Sequence, residues 1–429
     1  MNLLVYLLNA LLLAMLMLWL RKQQWTNVLQ PYFIPALLLK LLCGILLGLI
    51  YHHYYELGDT LTYYNNSLKL SAYARENPGA YVKLILFNEF ESEQFRSTIP
   101  FSRLPGFSNS FFMLKCTSVL NLLTGSSYYL NACYYSLFSF WGMAKLAAVL
   151  GKVYPATRRS AILAFLFFPS VVFWSSGLLK DGVMLGSMCW VVAFILQLAH
   201  RQPVKFLELL LLPFMLYILI RIKLFFSAAL LLFLLSYLVV KLLMRLIPVL
   251  QKTWLQISVY MGLTLVIGLA ATQIVSIYRL EFIVEQLVRT YEGIRQLSEH
   301  VPHIQYPSLE PTVASLLHHA PLALLNALFR PFIGEASGIL YVAAGLENLF
   351  LLVLLILAVT SAFKKGAGSE FHLFDLALFL FVVITAVVIG ISTPNFGTLI
   401  RYRIVFLPFL VYLLIQNYYV QRLLTRLKL

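Results

Sequence analysis

Two short stretches of this chain put ionisable side chains where long apolar sequence breaks. In Tyr54-Tyr55-Glu56-Leu57-Gly58-Asp59-Thr60-Leu61-Thr62-Tyr63-Tyr64, the carboxylates Glu56 and Asp59 stand among tyrosines just past a run long enough to cross a bilayer. A carboxylate held at that edge can serve as a base or electrostatic partner for a substrate whose tail lies in lipid. The same Gly-Asp-Thr order also starts a helix, with Asp59 accepting backbone N–H groups. The two roles are compatible. The second stretch, from Phe168 to Gly182, has Lys180 and Asp181 as its only charges, with Trp174 and Pro169 upstream. It reads either as a paired turn anchored by Trp174 or as part of a site. A surface pair adds little stability, and Pro169 frees a carbonyl that neighbours must satisfy, as they do where helices line a cavity.

The remaining candidates are mostly cations. Arg221 and Lys223 interrupt an apolar stretch running from Phe206 to Val240. Arg330 follows Leu322–Phe329 and precedes Pro331 and Glu335. Asn395, Arg401 and Arg403 belong to a segment from Ser392 to Arg403. Guanidinium forks suit phosphate oxygens. Each cation taken singly reads as snorkelling to an interface; their gathering on one side is the signal. Glu347 is an acid inside an apolar run, a costly placement unless it has a partner, and one of the arginines could supply that partner. Lys40, Lys145 and Glu208 lie nearer run ends and read as snorkelling. His300, His303, His318 and His319 match no metal-ligand spacing.

These residues must be positioned by helices in a membrane. Hydrophobic residues make up 61% of the chain and charged residues 11%, far from the soluble norm. Expected spans are Asn2–Leu20, Tyr32–Tyr51, Ser127–Gly151, Ser160–Leu178, Gly182–His200, Phe206–Ile220, Leu224–Lys241, Trp254–Ser276, Ala336–Phe363, Phe371–Ser392 and Ile404–Tyr419. The fold class is therefore all-α, a polytopic transmembrane bundle of about 11 spans, forming one integral membrane domain over 1–429. The first outer loop covers 52–126 and the second 277–335. Leu280, Ile283, Val284, Leu287, Tyr291, Ile294 and Leu297 recur at helical spacing, which predicts an amphipathic helix lying on headgroups or packed on the spans. Phe111–Leu123 is a similar piece in the first loop. The apolar start lacks a basic flank and a cleavage site and reads as a retained helix.

The net charge of +15 follows from basic inner loops and does not call for nucleic acid. One set of alternate connections carries Arg21, Lys22, Lys152, Arg158, Arg159, Arg201, Lys205, Lys241, Arg245, Lys252, Lys364, Lys365, Arg422, Arg426 and Lys428, with Glu370 as its acid. The positive-inside rule makes that side cytoplasmic. The amino terminus is then outside, the carboxyl terminus inside, and the acid-bearing loops face outward, as expected for a bacterial inner membrane. The four cysteines show neither a disulfide framework nor a metal motif.

With Gly58-Asp59 in a first outer loop and Lys180-Asp181 in a following outer turn, the chain resembles the GT-C superfamily of membrane glycosyltransferases. The segment Asn395-Phe396-Gly397…Arg401-Tyr402-Arg403 is also similar to Wzy-type envelope polysaccharide polymerases. The first resemblance implies an inverting transfer of a sugar from a polyprenyl-phosphate carrier to a glycan, lipid or protein acceptor at the outer face, in cell-envelope synthesis. It implies catalytic roles for Asp59, Asp181 and Glu56, and carrier-phosphate contacts from Lys180, Arg221, Lys223, Arg330, Arg401 and Arg403. Tyr63, Trp174, Glu335 and Asn395 would complete the pocket, with Glu347 as an intramembrane acid. The second resemblance implies an oligosaccharide polymerase that relies on Arg330, Arg401 and Arg403. A lipid-linked-sugar flippase is a third reading, although no internal repeat is visible. No cofactor is specified; the acids leave room for a divalent cation. The expected partners are the carrier-linked sugar, its acceptor and membrane lipids.

Overall fold

The computed structural model describes residues 3–56, 58–274, 276–364 and 372–427. Asn2, Leu57, Lys365, Glu370, Phe371 and Lys428, named above, lie outside them. Among the described residues every regular element is helical, and one isolated bridge joins His303 to Asn395. Among the described residues, eight helices are long and apolar enough to cross a membrane: Leu3–Arg21, Phe33–Tyr55, Tyr128–Val153, Lys180–Ala199, Leu224–Leu246, Thr253–Ile274, Ile339–Ala362 and Leu373–Ser392. A ninth candidate is a pair, Phe396–Val405 with Leu407–Ile415, bent by 65°.

Three expected spans therefore depart from single straight helices. The segment over Ser160–Leu178 is broken into Arg158–Ile162, Leu163–Phe167 and Pro169–Trp174. Pro169 cannot donate to the ladder, so a new helix starts at it. Phe206–Ile222 has 17 residues and covers only about 25 Å at 1.5 Å per residue. The last segment bends just before Pro408, which occupies the first turn of its second half.

The chain divides into two compact units. The first comprises Met1–Val153, Val171–Phe194 and Val204–Ser227. After the Phe33–Ile50 helix comes a π-helical turn at Tyr51–Tyr55, then Glu56 in a left-handed conformation at φ 54°. Gly58 follows at φ 133°, beneath the Tyr51 ring, a backbone state that disfavours any side chain. Past that reversal the first expected loop is helical, with Asp59–Glu76 packed along Asn109–Thr124. A buried amide chain joins this pair to Tyr128–Val153. Asn131 donates to Asn121 (2.6 Å), Asn121 donates to the Ser67 hydroxyl (2.9 Å), and Thr124 donates back to Asn131 (2.8 Å). Tyr128–Val153 and Lys180–Ala199 touch through glycines, since a Cβ on Gly142 would lie 1.8 Å from the Gly186 carbonyl oxygen.

The second unit comprises Tyr154–Ser170, Ile195–Pro203 and Ala228–Leu429. Leu373–Ser392 is its central helix. Val313–Phe329 lies against it so closely that a Cβ on Gly390 would meet the Ala323 carbonyl oxygen at 2.1 Å. The expected amphipathic helix is present as Leu280–Gln296. It buries Val284, Val288 and Tyr291, rests on Leu373–Ser392, and carries an exposed Glu285–Arg289 pair at 2.7 Å. Lys40 and Lys145 do not snorkel. They are 2% and 1% exposed, within the first unit.

Gly142→Ala forces the two helices apart and should lower the thermal unfolding midpoint in detergent by the equivalent of about 1–3 kcal/mol. Gly262→Ala, inside the Thr253–Ile274 helix with nothing within 4 Å of its Cβ, is the control and should leave the midpoint unchanged or raise it by the equivalent of up to about 1 kcal/mol. Equal midpoints for both variants would contradict the glycine contact.

Candidate functional site

In the first unit, three of the sequence-distant candidate groups are linked. Gly58 occupies the cap of the Asp59–Glu76 helix, without a side-chain cap, and Asp59 is its first helical residue. A carboxylate in that first turn faces the positive end of the helix dipole. One turn on, the buried Tyr63 hydroxyl lies 3.3 Å from that of Ser110. Lys180, the first residue of Lys180–Ala199 and 8% exposed, puts Nζ 5.9 Å from the Tyr63 ring centre and within hydrogen-bonding range of the phenol. Burial pushes the Tyr63 phenol up; Lys180 opposes that shift and Asp59 reinforces it. Tyr63 is therefore a neutral hydroxyl flanked by an acid and a cation.

The chain of contacts runs on to the third candidate group. The Ser110 hydroxyl donates to Asn109 Oδ1 (3.3 Å), and Asn109 Nδ2 donates to the carbonyl of Ile222 (3.0 Å), between Arg221 and Lys223. Arg221 donates to the carbonyls of Gly106 and Pro105 and lies over Phe112. Its guanidinium thus ties down the first loop. Lys223 lies over Phe226 at 5.7 Å. Asp181 is fully buried in the first turn after Lys180, where Gly182 permits close approach to the Ser175 carbonyl. Trp174 is buried edge-to-face with Phe173. Glu56 is exposed at the left-handed residue, its own N–H closing the π turn.

The other candidates belong to the second unit. Glu347 accepts from the Ser170 backbone N–H (3.0 Å) and hydroxyl (2.5 Å). These are donors made available by the helix start at Pro169. Its electrostatic partner is Arg403. Arg403 is fully buried and donates to Asn348 Oδ1 (2.6 Å) and the Leu328 carbonyl (3.3 Å). Arg330 is paired with Glu335, which also accepts from the Phe332 N–H, and lies over Phe396. Asn395 caps Phe396–Tyr402 by accepting from Thr398 (3.0 Å) and donates to Ser298. Arg401 is half-buried beside Tyr402. These contacts tie Arg330, Arg403, Glu335 and Asn395 to their surroundings, while among the described residues Arg403 Nε and Nη2 and Arg330 Nε are buried without a hydrogen-bond partner.

Several polar groups went unread as packed pairs. Lys40 donates to the Ser175 hydroxyl and lies 3.5 Å from the Val172 carbonyl. Lys145 pairs with Glu208 at 2.8 Å and covers the Trp190 ring. In the second unit His200 Nε2 meets the hydroxyls of Tyr237 (2.8 Å) and Tyr154 (3.2 Å). Asp375 lies beside Gln416. Among the described residues no three His, Cys, Asp or Glu side chains are grouped to hold a metal ion. Compared with protein-family models, curated proteins and solved structures, the chain matches none. Fold and composition define it as a helical membrane protein.

Burial pushes His200 down to about 4, with Lys241, His372 and Arg245 adding to the effect. A depressed folded value means the neutral ring's contribution is complete above the unfolded value of about 6.5. It is lost as pH falls through 4. Thermal midpoints should therefore drop over that window, and His200→Gln should flatten the drop. An unchanged slope in the variant would show that His200 is not the titrating group.

Proposed function

We propose that this protein is an integral membrane glycosyltransferase moving a sugar from a polyprenyl-phosphate carrier to an acceptor at the outer face of a bacterial inner membrane. The observation that carries this reading is the meeting of Asp59, Tyr63 and Lys180 in the first unit. An acid, a neutral hydroxyl and a cation, 121 positions apart at the extremes, share one neighbourhood at the ends of helices.

In the proposed reaction the acceptor hydroxyl oxygen attacks the anomeric carbon from the face opposite the carrier. The bond between that carbon and the carrier phosphate oxygen breaks, and the phosphate leaves with the electron pair. Asp59 takes the acceptor proton as general base. Lys180, with Lys223 further along the contact chain, stabilises charge growing on the leaving phosphate, commonly the largest electrostatic contribution. Tyr63 holds Lys180 and orients the acceptor. Asp181, buried in the turn behind Lys180, positions that lysine.

In this reading the broken, short and bent segments complete eleven crossings, with the amino terminus outside and the carboxyl terminus in the cytoplasm. Leu280–Gln296 rests at the outer membrane surface. Of the three arginines the polymerase reading leans on, Arg330, Arg401 and Arg403, Arg330 is paired with Glu335 and Arg403 gives Nη1 to Asn348 and the Leu328 carbonyl. Transfer by the first unit is the better supported of the two.

With a radiolabelled polyprenyl-phosphate sugar, Asp59→Asn should lower transfer by about 10²–10⁴-fold at unchanged protein abundance. Wild-type transfer by the variant would remove Asp59 from the mechanism.

A further inference from the structure

A second feature owes nothing to the transfer site. In the second unit, a hollow of about 580 Å³ is lined by Ala199, His200, Arg201, Lys241, Met244, Arg245 and Gln251. It lies where the Lys180–Ala199 helix ends, beside the last turns of Leu224–Leu246 and the short helical turn Pro248–Gln251. Arg201, Lys241 and Arg245 are among its lining residues, and no acid is. Like charges brought together repel unless an anion sits among them.

The walls are fixed. Arg245 Nη2 donates to the carbonyls of Leu198 (3.0 Å) and Ala199 (2.7 Å), using up the acceptors at the helix end that would repel an anion. His200 is held by the hydroxyls of Tyr237 and Tyr154, and the half-buried Lys241 places Nζ 5.9 Å from the Tyr237 ring centre. Arg201 is exposed at φ 51°, a left-handed conformation rarely adopted by residues other than glycine and asparagine.

We propose that this hollow binds a phosphate group, carried either by the headgroup of an anionic lipid or by a free phosphorylated solute. Guanidinium forks and a lysine point charge suit the tetrahedral oxygens. The position at the ends of two apolar helices gives a lipid headgroup access, and the open mouth admits a solute. Ordinary enrichment of basic residues at a membrane face would leave the lysine as available to solvent as its neighbours. A bound phosphate would shield it.

The test uses the full chain in neutral detergent and follows labelling of Lys241 by an amine-reactive reagent, with exposed Lys252 as internal reference. Inorganic phosphate is added in one arm and phosphatidylglycerol in the other, with phosphatidylcholine as blank. Labelling of Lys241 relative to Lys252 should slow about fivefold or more in at least one arm, and the protecting arm identifies the source. Arg201→Gln, at a residue exposed enough to leave folding intact, should abolish the protection. No protection in either arm, or protection undiminished by Arg201→Gln, overturns the site.

Discussion

A polar or charged side chain surrounded by hydrocarbon has to find its partner within the protein, and that requirement sets how the helices of each unit pack. In the first unit it produces the Ser67–Asn121–Asn131–Thr124 chain and the Lys145–Glu208 pair. In the second it brings Glu347 to the donors at Ser170 and Arg403 to Asn348. Glycines at Gly142, Gly186 and Gly390 allow the backbones to approach where apolar contact alone has no specificity.

The same requirement fixes what the ionisable side chains touch. Glu335, Asn395 and Arg221 serve a pair, a cap and loop carbonyls, and Arg403 gives Nη1 to Asn348 and the Leu328 carbonyl. Asp59 and Lys180 both act on the buried Tyr63 phenol near helix ends.

Much of the helical layout was legible from hydropathy. Unbroken leucine-rich runs such as Leu3–Arg21 and Leu373–Ser392 leave no alternative to a long helix. Leu280–Gln296 was legible from its 3.6-residue spacing. The break at Pro169 and the bend before Pro408 were not, since a proline marks a discontinuity without giving its angle. Lys40 and Lys145 were misjudged because distance from a run end says nothing about which neighbour lies beside the ammonium group. The helix start at Asp59 was legible to within one residue, and Gly58 took the cap because only glycine suits φ 133° there. The link from Tyr63 through Ser110 and Asn109 to Ile222 joins residues far apart in sequence, and no local pattern encodes it.

The central claim is that Asp59 and Lys180 act together on one reacting group, and a double-mutant cycle on sugar transfer tests it most directly. Rates would be measured for Asp59→Asn, Lys180→Gln and the pair, each normalised to folded protein. The predicted result is strong non-additivity, with the pair little worse than the more damaging single change. Losses that simply multiply would contradict a shared site, as would either single change leaving transfer intact.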